Sequence, residues 1–122
     1  MTAGIAQAYA DVVPYVTRDG SLIRELMHPA SHGNRQQSLA EATVPAGTRT
    51  LLHCHALSEE LYHITRGSGL MTLGGEQFIV NPGDTVCILP GTAHCIEALG
   101  DAALVLLCCC APPYAHDDTT LL

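Results

Sequence analysis

From Ser21 onward the chain breaks into short, apolar-rich runs separated by glycine and proline. The runs are Leu22–Leu26, Gln37–Val44, Thr50–His55, Leu61–Thr65, Gly69–Leu73, Glu76–Val80, Thr85–Leu89, His94–Ala98 and Ala103–Cys110. Between them sit Pro45-Ala46-Gly47, Gly67-Ser68-Gly69, Gly74-Gly75, Asn81-Pro82-Gly83-Asp84 and Pro90-Gly91. Many short strands at regular spacing, with turn chemistry between them, predict an all-β sandwich or barrel. Gly74-Gly75 fits a two-residue hairpin and Asn81–Asp84 a tight turn, so neighbouring strands are expected to run antiparallel. Residues 1–20 lack this patterning. They read as an N-terminal arm with a short helix around Ile5 to Val13 that Pro14 interrupts.

Strand periodicity places one chemically loaded set of side chains. Successive residues of a strand face opposite sides, so His53 and His55 share a face while Cys54 takes the other. Glu60 follows after a gap that can turn the chain, and it shares a face with Tyr62 and Ile64. His94, just past the Pro90-Gly91 turn, can reach the same cavity from an adjacent strand. Three imidazoles and a carboxylate form a mixed nitrogen and oxygen donor set. Such a set suits one divalent transition-metal ion (Fe, Mn, Ni, Zn or Cu) with positions left for water or substrate. An H-x-H pair alone is a weak signal; the joint spacing carries the reading.

Composition narrows the partners. Apolar residues are 48% and charged residues 14% of the 122, which fits a compact chain and not a disordered one. At a net charge of −7, with five arginines and no lysine, the surface repels phosphates and anionic lipids, so a small-molecule partner is expected and nucleic acid or membrane is not. The longest apolar run, Ala102 to Pro113, is far below the roughly 20 residues that span a bilayer. No secretion-signal pattern is visible at the N-terminus, and a cytoplasmic location is the expectation. Six cysteines without C-x-x-C spacing, three of them consecutive at 108–110, read as reduced thiols.

The joint spacing resembles the cupin superfamily. Its first motif runs glycine, five residues, H-x-H, three or four residues, glutamate, six residues, glycine; Gly47, His53, His55, Glu60 and Gly67 match it throughout. In its second motif Gly83, Gly91 and His94 fall in register, while Leu89 replaces a proline and Ala98 an asparagine, leaving the ligand positions intact. The resemblance spans about residues 21–116. It implies a double-stranded β-helix, or jelly-roll, cupin barrel, with residues 117–122 as a peripheral tail. It implies metal ligation by His53, His55, Glu60 and His94, and for that set most often a dioxygenase-type, metal-dependent enzyme.

Cupins also host lyases, isomerases and non-catalytic binders. Tyr62, two residues after Glu60, points into the same cavity and is the candidate general base of a lyase or isomerase, the part a tyrosine at this position plays in cupin lyases acting on dimethylsulfoniopropionate. Met71, Phe78 and Ile96 are candidate wall residues. Cys108 and Cys110 share a face and Cys109 takes the other; packing is the default reading for these thiols, with one set as a candidate to line the cavity, whereas Gln37 and Arg49 stay undecided between cavity and surface. His28, His32, His63 and His116 lie outside the motif spacings. The weakly patterned arm is the candidate for strand exchange in a homodimer.

Overall fold

The computed structural model describes residues 3–122. Among them the chain forms strands β1 (Tyr15–Val16), β2 (Leu22–Met27), β3 (Ser38–Val44), β4 (His53–His55), β5 (Glu59–Arg66), β6 (Ser68–Leu73), β7 (Glu76–Val80), β8 (Thr85–Ile88), β9 (His94–Leu99), β10 (Leu104–Ala111) and β11 (Thr119–Leu121), with one α-helical turn, α1 (Pro29–His32), and 3₁₀ turns at Tyr9–Asp11 and His116–Asp118. Every ladder is antiparallel. One sheet has the order β1-β2-β3-β10-β5-β8, the other β11-β4-β9-β6-β7. Apart from the β6–β7 hairpin, which stays within one sheet, the eight strands β3 to β10 alternate between the sheets as in a jelly roll.

A closed barrel is the expectation from the sequence, and here the structure differs: among the described strands no ladder joins the two sheets, so they face each other as a sandwich. The physical reason is that face-to-face packing already covers both inner faces, and no further strand pairing is needed to cover them. On β10, Leu104, Leu106, Cys108 and Cys110 point inward; on β5, Glu60, Tyr62 and Ile64 do the same.

These strands run from an apolar end to a polar one. Ile64, Met71 and Leu104 are almost fully buried at the apolar end. Each such side chain contributes about 2 kcal/mol through area removed from water. Gly67 makes this end possible: its φ is +73°, and a Cβ there would lie 2.5 Å from the Ala103 carbonyl oxygen.

The arm is less helical than its sequence suggests. Only a 3₁₀ turn at Tyr9–Asp11 forms, with none of its residues buried, because this stretch has no apolar face to pack and helical turns this short are not stable alone. Tyr15–Val16 pairs with Leu22–Ile23 as an edge strand. In the tail, β11 pairs with β4, setting Thr119 opposite His55 and Leu121 opposite His53. Arg18 ties the two ends together by donating to the carbonyls of His116 and Thr119 at 2.9 and 3.1 Å.

Candidate metal centre

Register brings the ligand candidates together. His53 on β4 sits opposite His94 on β9, and Glu60 on β5 sits opposite Cys110 on β10. All four side chains of the sequence-derived set are buried, and the ligand atoms of His53, His55 and His94 lie within 4.8 Å of one another. Glu60 Oε1 lies 3.3 Å from Nε2 of both His55 and His94.

Each imidazole is oriented through its other nitrogen. His53 Nδ1 meets the Leu51 carbonyl at 2.7 Å, and His94 Nδ1 meets the Thr92 carbonyl at 2.9 Å. A carbonyl only accepts, so Nδ1 carries the proton and Nε2 presents its lone pair to the centre. His55 Nδ1 meets Thr119 Oγ1 at 3.1 Å, and that hydroxyl spends its own proton on the Ala115 carbonyl at 3.0 Å, which assigns the same tautomer to His55. Burial, reinforced by the neighbouring His94, lowers the pKa of His53 and keeps that ring neutral near pH 7. For Glu60, burial opposes ionisation, and only positive charge on the side of the facing His55 and His94 outweighs it and brings the carboxyl down to about 2.

Glu60 Oε1 and His94 Nε2 are buried and have no hydrogen-bond partner, although they approach to 3.3 Å. Buried polar atoms are nearly always satisfied, and leaving one bare costs about 1–3 kcal/mol. Two lone-pair donors aimed at each other are relieved by a cation between them. The residues therefore fit a divalent metal, with His53, His55, His94 and Glu60 as the groups able to hold it.

A cavity of about 50 Å³ opens beside this cluster. Its apolar wall includes Ile23, Ala42, Val44, Ile96 and Leu106; of the wall candidates only Ile96 takes part, because Met71 is in the core and Phe78 packs against it. Tyr62 lines the cavity, its ring 6.0 Å from that of His94. Burial, and then the charge of Glu60, pushes its phenol well above the ordinary pKa and favours the neutral form. Cys108 and Cys110 line the cavity, and burial first and Glu60 second keep both as thiols. Cys110 Sγ donates to Glu60 Oε2 at 3.3 Å. Cys109 turns outward toward Gln37, and all six cysteines are free. Gln37 and Arg49 are exposed and outside the cavity.

Sequence periodicity passes over Asp19. It sits at the cavity rim, its Oδ1 accepting from the Ser21 amide at 3.0 Å and the Ser21 hydroxyl at 2.6 Å, its Oδ2 3.8 Å from His53 Nε2. The Asp19-Gly20-Ser21 turn is a local signal, but strand alternation says nothing of where a turn residue points. The histidines outside the motif spacings serve elsewhere: His28 Nδ1 caps α1, His32 accepts from the His28 amide, His63 is exposed beside Thr85, and His116 meets Tyr114.

Comparison with known proteins rests on this geometry. The cupin-domain family model matches residues 40–110, more than half of the chain and the whole span that supplies the histidines and Glu60. The chain belongs to the cupin family. This cupin is 53% identical over 118 residues to an uncharacterized protein of Methanocaldococcus jannaschii, covering 97% of this chain and 94% of that one. It is 30% identical over 86 residues to an oxalate-binding protein of Thermotoga maritima, covering 70% and 67%. In fold it is similar to a predicted oxalate decarboxylase of Thermotoga maritima, with a TM-score of 0.75 at 22% identity over 86% of this cupin and 96% of that chain. Among the described residues no helix is long and apolar enough to cross a membrane.

Proposed function

We propose that this cupin holds one divalent transition-metal ion at His53, His55, His94 and Glu60 and acts as a metal-dependent enzyme on a small oxygen-bearing organic molecule. The observation that carries the reading is the pair of buried, unpartnered atoms, Glu60 Oε1 and His94 Nε2. Bound there, an ion supplies Lewis acidity and, if redox-active, an electron-transfer centre for a ligand oxygen. The chain's own residues do the rest. Leu51, Thr92 and Thr119 fix the imidazole tautomers, Cys110 steadies the carboxylate, and the apolar wall excludes water from the ligand.

Dioxygenase-type chemistry is the leading activity, supported by the full three-histidine, one-glutamate donor set. A second reading, a lyase or isomerase, is favoured by Tyr62, which lines the cavity beside His94. The similarity to a protein named for binding oxalate favours a third, ligand binding without turnover.

Elemental analysis of tag-free protein beside a His53→Ala/His55→Ala variant tests the metal. Near-stoichiometric metal that vanishes in the variant supports the proposal, and none after anaerobic reconstitution overturns it. Oxygen consumption with a panel of carboxylates, diketones and phenols then separates the activities. Turnover without oxygen uptake that is lost in Tyr62→Phe, with metal retained, selects the lyase reading. Tight binding of one compound with no turnover of any selects the third.

A further inference from the structure

The polar side of the cavity carries charge of one sign. Asp19, Glu25 and Glu60 all line it, and among the described lining residues none is lysine or arginine. Two arginines adjoin these carboxylates in sequence, and neither lines the cavity: Arg24 stacks over the Tyr9 ring at 5.2 Å, and Arg18 donates to the carbonyls of His116 and Thr119. Two carboxylate oxygens are left for a ligand. Asp19 spends Oδ1 on Ser21, while Oδ2 lies 3.8 Å from His53 Nε2, beyond hydrogen-bond distance. Glu25 Oε1 accepts from the Tyr15 hydroxyl at 3.1 Å, while Oε2 is buried with no partner. Both are acceptors without a donor. A protein group that only accepts is complementary to O–H or N–H, and it repels a second carboxylate.

We propose that the ligand of this cavity is a small 2-hydroxy or 2-amino acid and not a dicarboxylate. Its carboxylate is held at the histidine cluster, and its O–H or N–H is received by Asp19 and Glu25. The short separation of Asp19 Oδ2 from His53 Nε2 requires the donor to sit within two or three atoms of the oxygen held at the cluster, which is the 2-position of an acid. Size agrees: a cavity of about 50 Å³ takes about four water molecules, at roughly 10–15 Å³ each, which is the scale of glycolate or glycine. The assignment rests on the proposed function in taking the histidine cluster as the place that holds the carboxylate.

The experiment uses protein loaded with Mn(II), its stoichiometry checked by elemental analysis. Glycolate, glycine and oxalate are titrated calorimetrically into the wild type, Asp19→Asn and Glu25→Gln, with folding verified by circular dichroism. The expected result is that each variant binds oxalate more tightly and shifts the preference for glycolate or glycine over oxalate by at least about tenfold toward oxalate. Loss confined to glycolate identifies a hydroxy acid, and loss confined to glycine an amino acid. An unchanged preference in both variants, or no binding of any probe to the loaded wild type, overturns the assignment alone. Failure of the wild type to take up Mn(II) overturns the metal reading and this assignment with it.

Discussion

The Cys110 thiol donates to Glu60 Oε2, so the carboxylate oxygen turned away from the imidazoles is held from behind by β10. Groups that orient a metal ligand typically account for tenfold to a hundredfold in affinity. Cys110→Ala is therefore expected to weaken metal binding about tenfold in a chelator competition, whereas Cys110→Ser, which keeps a donor, retains most of it. Equal affinity in all three proteins would remove Cys110 from the site's support.

Thr119 performs the corresponding task for His55, accepting from Nδ1 while donating to Ala115. Thr119→Ala frees the ring to adopt the other tautomer. The expected outcome is about a tenfold loss of metal affinity together with about 1 kcal/mol of metal-free stability, read from urea denaturation. Thr119→Val tests the same point with the shape retained and should lose the affinity while keeping more of the packing.

Gly47 and Gly67 share a φ of +73°, yet they differ in surroundings: a Cβ on Gly47 meets nothing within 4 Å, while one on Gly67 meets the Ala103–Leu104 backbone. Gly47→Ala should cost about 1–2 kcal/mol from the left-handed backbone alone. Gly67→Ala should cost clearly more, since backbone must also move. Thermal melts that rank the two variants the other way would contradict this account.

Stability should fall at alkaline pH. Burial, and then the charge and hydrogen bond of Glu25, raise the Tyr15 pKa. The folded state thus retains a proton that the unfolded chain releases from about pH 10 upward, and its stabilising effect, complete below that pH, declines as the pH climbs through the raised value. Tyr15→Phe should flatten the decline in denaturation midpoints measured above pH 10. An unaltered slope would assign the effect to other groups.

We propose that the chain is a homodimer joined through its arm. Val13, just before the edge strand β1, and Val16 on it are 82% and 70% exposed, an arrangement that an added strand or a twin surface would cover. Light scattering should give twice the 12.9 kDa of the chain, and Val13→Asp/Val16→Asp should return it to the monomer mass. A wild-type mass near 12.9 kDa would end this proposal.

The elements with a clear alternation are legible in the amino-acid sequence. Period two puts His53 with His55 and Glu60 with Tyr62, and the glycine and proline turns cut the strands near their observed ends. Pairwise alternation cannot tell a sandwich from a barrel, because both present one inner face per strand. It is also silent on Asp19 and on the β11 pairing, which depend on how turns and chain ends fold back over the mouth. Met71 and Phe78 show a related limit: an inward-facing strand residue belongs to the core or to the cavity according to its depth along the strand, and depth is a tertiary quantity.

Two residues beside the histidine cluster lie at the edges of the fold: Asp19 follows the two-residue β1, and Thr119 opens the three-residue β11. Short edge strands open at far lower free energy than a packed centre. Exchange of anything bound beside His53 and His55 is then expected to follow fraying of the two edge segments that Arg18 pins together, with the β5–β10 core staying closed. A substitution at Arg18 would change residence times at the site without touching its ligands.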